Sequence, residues 1–174
     1  MNNTKKGTYY LTVASVIAAM YAVLTVMQNL LLQNSASAAV QVRISEALCA
    51  LCVITPAAVP GVTVGCLIAN LTSVGVMPLD LVFGPLATLL AGIFMYKLRN
   101  VRLKSVPLLS LFMPVIFNAV IVGIELTFFL PGENGVTLKG FLIQALLVAL
   151  GELISAVGLG APLIKAVEKR GLLK

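Results

Sequence analysis

The chain contains no histidine and no tryptophan, and only six acidic residues in 174. Without histidine there is no imidazole to bind a metal or to act as a general base. No Gly-x4-Gly-Lys-Ser/Thr run is present either, so ATP hydrolysis is not expected of the chain. No nucleophile stands beside a base, so enzymatic activity, a cofactor and a metal site are not expected. The three cysteines are an odd number and lie inside apolar segments. Cys49-Ala-Leu-Cys52 has the spacing of a redox motif, but without a βαβ context the pair reads as small buried hydrophobes. Polar sequence is also scarce, with 60% apolar and 10% charged residues and a mean hydropathy of +1.06. Such values belong to multi-span membrane proteins.

The length accommodates about six helices of ~20 residues, in one membrane domain covering 1–174. The expected fold is an all-α six-transmembrane-helix bundle, with spans at about 9–32, 43–54, 57–71, 79–98, 107–130 and 138–167. The basic start, the apolar run and Ser35–Ala39 imitate a signal peptide. The run Tyr9–Leu32 is far longer than the ~7–15 residues of a signal h-region, so it is read as a retained first span. Thr55-Pro56 and Pro60-Gly61 break the helix between spans two and three, because proline lacks a backbone donor and clashes with the preceding turn. Both of those spans are short; the alternative is one kinked helix from Arg43 to Leu71. The sixth span is too long for a simple crossing, so its end projects from the membrane or bends at Gly158–Pro162.

Lysine and arginine cluster at Lys5 and Lys6, at Lys97, Arg99, Arg102 and Lys104, and at Lys165, Lys169, Arg170 and Lys174. Six spans put all three clusters on one side, which the positive-inside rule makes cytoplasmic, together with both termini. A five-span reading separates them. The net charge of +6 thus orients the chain against anionic lipid; it is not a nucleic-acid signal.

Charged groups in a membrane span usually face a cavity and mark a pathway. In this topology Arg43, Glu46, Asn70 and Asp80 lie at the outer ends of their spans, along with Gln28 and Asn29. Glu125 lies ~8 Å below the outer end of span five, with Asn118 two turns deeper on the same face. Gln144 lies ~9 Å inside span six. These groups converge on one level, which suits a polar cavity opening outward beneath loops 33–41 and 72–78. Its chemistry suits a planar heterocycle: a carboxylate accepts two donors from a guanidine-like edge, amides serve ring nitrogen or carbonyl, and a second carboxylate meets a cation. Structural readings stand beside this one: Glu46 pairing with Arg43, or Asp80 capping its helix. Glu152 lies deeper, suited to helix packing or to proton chemistry.

Small residues supply a second signal. Ala14, Ala18 and Ala22 repeat every fourth residue, and Gly61/Gly65 form a GxxxG, spacings that let helices approach closely in lipid. Packing within the bundle and a docking face for another membrane subunit are both compatible with the alanine ridge.

The segments Val42-Arg-Ile-Ser-Glu-Ala-Leu48, Thr55-Pro-Ala-Ala-Val-Pro-Gly61 and Gly65-Cys-Leu-Ile-Ala-Asn70 resemble the QueT family. These are substrate-binding S components of energy-coupling factor (ECF) transporters. The resemblance implies capture of a queuosine precursor, preQ1 or queuine, at the plasma membrane of a bacterium. It implies docking through Ala14, Ala18 and Ala22 on the transmembrane coupling subunit EcfT, driven by two cytoplasmic ABC ATPases that use the ATP. Under it, Glu46 or Glu125 takes the N1/N2 edge, and the other carboxylate or Asp80 takes the ammonium. Asn70, Asn118 and Gln144 fill the remaining hydrogen bonds, Arg43 orients Glu46 or meets the carbonyl, and Phe117, Phe128 or Tyr10 stacks. Rival readings are an S component for another vitamin or nucleobase, and a self-sufficient carrier.

Overall fold

A computed structural model describes residues 3–31, 42–73, 78–103, 106–132 and 134–171. Loop 33–41 and most of loop 72–78, expected to cover the site, lie outside the described residues. The apolar segments fold as α1 (Asn3–Leu31), a 3-10 helix (Ile44–Val53), α2 (Ala58–Thr72), α3 (Asp80–Leu98) and α4 (Leu108–Phe129). α5 (Leu138–Glu152), a π-helical segment (Leu153–Leu159) and α6 (Gly160–Arg170) follow as one continuous rod. Among the described residues, α1, α3, α4 and the α5–α6 rod are long and apolar enough to cross a membrane. The 3-10 helix and α2 are shorter, so six full crossings are not established.

Contacts fix which ends lie together. The Tyr10 hydroxyl donates to the Pro56 carbonyl at 3.3 Å, and Arg102 forms a bidentate pair with Glu168 at 2.6 and 3.1 Å. A cavity lined by Val53, Ile54, Arg99, Asn100, Arg102 and Glu168 lies between these elements. The start of α1, the turn after the 3-10 helix, the α3–α4 connection and the end of α6 therefore share the basic end. At the opposite end Asn29 Nδ2 donates to Ser73 Oγ at 2.9 Å, tying the end of α1 to the end of α2.

The second predicted span is not α-helical. Its ten residues are Ile-Ser-Glu-Ala-Leu-Cys-Ala-Leu-Cys-Val, all buried except Ile44. A 3-10 helix rises ~2.0 Å per residue against ~1.5 Å in an α-helix, so ten residues reach ~20 Å rather than ~15 Å. The tighter winding lets a short segment run from Arg43 to the turn at Thr55–Ala57. Three residues per turn also stack Glu46, Cys49 and Cys52 in one row. Gln28, buried on α1, pins the start of this helix: its amide donates to the Val42 carbonyl, and its Oε1 accepts from the Ile44 N–H at 2.8 Å. The Pro56 break separates it from α2, which disposes of the single kinked helix.

α1 and α2 pack through the small residues. A Cβ on Gly61 would stand 2.8 Å from the Ala14 carbonyl oxygen, and one on Gly65 2.9 Å from that of Ala18. The bend expected in the last span is the π segment. Pro162 in the first turn of α6 lacks an N–H and crowds the carbonyl four residues back, and local widening to i→i+5 bonding relieves that conflict.

Candidate functional site

Three helices each bring a row of residues, four apart, to a common center. α3 contributes Asp80, Gly84 and Thr88; α4 contributes Asn118 and Val122; α5 contributes Val148 and Glu152. Arg43 and Glu46, from the start of the 3-10 helix, complete the lining. The enclosed cavity measures about 10 Å³, room for a single water. The site is closed in this structure.

Arg43 is the guanidinium whose charge acts on four carboxyl groups. Glu46 and Asp80, which line the cavity with it, are its charged neighbors, as are Glu125 and Glu152. Its Nη1 also approaches Cys66 Sγ at 3.9 Å. One fixed cation stands among four carboxyl groups in a lipid-embedded bundle, so a cationic ligand finds more acidic partners there than Arg43 alone can occupy.

The four carboxylates differ in how they are satisfied. Glu46, 1% exposed, accepts from the Tyr21 hydroxyl on Oε1 and from Cys49 Sγ at 3.0 Å on Oε2. Glu152 accepts from Asn118 Nδ2 on Oε1 at 2.8 Å, while its Oε2 is buried with no hydrogen-bond partner among the described residues. Both oxygens of Glu125 are buried and receive no donor beyond what the neighboring Asp80 carboxyl group offers. Glu125 has the Asp80 carboxylate as its foremost charged neighbor, and two facing carboxylates make a point of attraction for a cation.

Several expected residues stand elsewhere. Asn70 does not line the cavity; its Nδ2 donates to the Asp80 carbonyl at 2.7 Å and holds the first turn of α3. Gly84 leaves room for that amide, since a Cβ there would sit 2.7 Å from Asn70 Nδ2. Gln144 shares the α5 face of Val148 and Glu152 but opens on a separate cavity with Thr127, Pro131 and Asn134, its Nε2 3.5 Å from the Leu130 carbonyl. Of the aromatic candidates, Phe117 packs on Phe94 with ring centers 5.2 Å apart. Phe128 is exposed, and Tyr10 belongs to the basic end. None of the three lines the cavity, whose flat walls are Val122, Val148, Gly84 and Thr88.

Sequence reasoning left Glu152 undecided and missed Tyr21 and Thr88. Glu152 carried a signal, lying two turns beyond Gln144 on the same face. Tyr21 carried none, because its partner Glu46 lies 25 residues away. Cys49, Cys52 and Cys66 are free and buried, as expected of small hydrophobes, with Cys49 adding a hydrogen bond to Glu46.

The alanine ridge faces inward. Ala18 and Ala22 are buried beneath the close approach of α2, and Ala14 is half-buried. Ala14 and Ala18 still edge a groove of about 220 Å³ on the α1–α2 seam, with Tyr10, Leu11, Ser15 and Val64.

Comparisons with curated proteins and with solved structures give no match. A family model described as QueT transporter matches residues 11–169, nearly the whole chain. An acid-rich closed cavity at the center of an apolar bundle is the setting a transported solute needs, and the chain belongs to the QueT transporter family.

Proposed function

We propose that the protein is the substrate-binding S component of an ECF-type importer and captures a queuosine precursor, preQ1 or queuine, from outside a bacterial cell. The observation that supports this reading is the closed cavity in which Arg43 is lined up with Glu46, Asp80 and Glu152, with Glu125 next to Asp80 just beyond its wall. PreQ1 answers both demands of such a site. Its ammonium supplies a positive charge to Asp80, backed by Glu125, and its guanine-like edge supplies donors to a further carboxylate. Asn118 and Arg43 serve the remaining polar atoms, and Val122 and Val148 cover the ring faces.

A cavity with room for one water must open before a bicyclic base enters. Arg43 and Asp80, at the outer end, are the groups that part. Delivery to the other side falls to partners: a coupling subunit seated on the α1–α2 seam beside Ala14 and Ala18, and two ATPases.

Calorimetric titration of the detergent-purified single protein tests the reading, with preQ1 and queuine as ligands and guanine, thiamin and riboflavin as controls. Nanomolar-range binding of preQ1 or queuine is the expected result. Tight binding of a control overturns the substrate assignment, and binding of none overturns the S-component reading. Transport by the protein alone in liposomes favors a self-sufficient carrier.

A further inference from the structure

We infer that Glu152, and not Glu46, is the carboxylate that reads the guanidine-like edge of the ligand. The inference rests on the reading of the site given above and names the specificity-determining residue within it. Glu46 is the more obvious candidate from its position, but both of its oxygens are engaged. Tyr21 and Cys49, each fully buried, donate to Oε1 and Oε2. Those donors come from α1 and from the next turn of the same helix, so they hold Glu46 as a fixed counter-charge to Arg43.

Glu152 differs in three ways. It lines the cavity, it is only 4% exposed, and its Oε2 has no hydrogen-bond partner among the described residues. Buried polar atoms in folded proteins are nearly always paired, so an orphaned acceptor at a cavity wall marks the place where a donor arrives. Asn118 fixes the orientation of this carboxylate by donating to Oε1 at 2.8 Å, leaving Oε2 and the second lone pair of Oε1 for two parallel N–H donors. A neighboring N–H pair, as in the N1–H and 2-amino group of a guanine-type base, matches that geometry.

Glu125 is also buried, but it is not among the residues lining the cavity and the Asp80 carboxyl group is its side-chain partner. Two carboxylates together select a compact cation, whereas one carboxylate held flat by an amide selects a planar donor pair. The site therefore divides into a cation end at Asp80, backed by Glu125, and an edge-reading end at Glu152 and Asn118.

The test is calorimetric titration of the wild type, Glu152→Gln and Glu46→Gln with preQ1 and with the same molecule lacking its 2-amino group. The wild type is expected to prefer preQ1 by about 100-fold or more, since a site built around a donor rejects the analogue that lacks it. Glu152→Gln collapses that ratio to within a few-fold, and Glu46→Gln weakens both ligands together with the ratio kept. Glu152→Asp withdraws the carboxylate while keeping its charge, so it serves where the glutamine variant fails to fold; its ratio falls as well. A ratio unchanged in the Glu152 variants, or lost in Glu46→Gln, overturns the inference while leaving the transport reading intact. A wild type that binds neither ligand overturns both.

Discussion

Tyr21, on the first helix, donates its hydroxyl to Glu46 Oε1 in the 3-10 helix, and both side chains are almost completely shielded from solvent. The bond joins the element that packs on α2 to the element that carries the charged center. It sits beside Gly65, where a Cβ would come within 2.7 Å of the Tyr21 Cβ.

Tyr21→Phe removes one of the two donors to Glu46 without changing the packed volume much. A buried charged group that loses a partner costs about 1–3 kcal/mol or more. The variant is expected to unfold earlier in a detergent thermal-stability assay, and adding Glu46→Gln is expected to be less than additive. Full additivity would mean that the two side chains do not interact.

Gly65→Ala forces α1 and α2 apart at their closest point. Overpacking of this kind costs about 1–3 kcal/mol, and the same thermal assay is expected to register it. Gly132→Ala, where no atom lies within 4 Å of the added carbon, is expected to be silent.

Arg43→Ala removes the cation beside three buried carboxyl groups, Glu46, Glu125 and Glu152, and the half-buried Asp80. Breaking a buried ionic arrangement by removing one partner costs about 3–5 kcal/mol, so both stability and ligand binding are expected to fall. Arg43→Lys should recover only part of the loss, because an ammonium lacks the planar fork that reaches several carboxylates at once. Full recovery by lysine would show that charge alone matters.

Glu125→Gln keeps the shape of the cation end and removes its charge. Binding of preQ1 is expected to weaken by about 2–5 kcal/mol, while a neutral analogue carrying a methyl group in place of the aminomethyl group loses little. Titration with the matched pair checks this, and equal losses for both ligands would remove Glu125 from the cation end.

Arg102→Ala breaks the bidentate pair with Glu168 at the basic end. Both partners are about one-third exposed, so the expected cost is within about 1 kcal/mol and shrinks further in high salt. A larger loss would mean that the pair closes the cavity beside Val53 and Arg99 as a structural clasp.

Much of this architecture is legible in the chain because lipid imposes strict rules on sequence. The apolar runs announce α3, α4 and the last rod to within three residues at each described boundary, and proline at 56 marks the break between the 3-10 helix and α2. The convergence of Arg43, Glu46, Asp80 and Asn118 was legible because intramembrane charge has few places to go. The 3-10 winding was not, since α and 3-10 helices share the same apolar composition and differ only in a register that neighboring helices decide. The fate of individual polar groups was equally hidden. Gln28, Asn29 and Asn70 sit at the same depth as the site, yet each binds a backbone or a hydroxyl of an adjacent segment. Depth follows from counting residues, whereas partners depend on rotation about each helix axis.

The ten-residue 3-10 helix also gives the charged center the mechanics of a screw. Each residue advances about 120° there and about 100° in an α-helix, with about 0.5 Å less rise in the latter. With its far end anchored at the Thr55–Ala57 turn, each residue relaxing to α-helix would turn Arg43 by about 20° and draw it about 0.5 Å toward that turn, once the Gln28 bonds at Val42 and Ile44 are released. A few such steps would carry the guanidinium out of register with the carboxyl groups of α3, α4 and α5 without requiring any of those three helices to move.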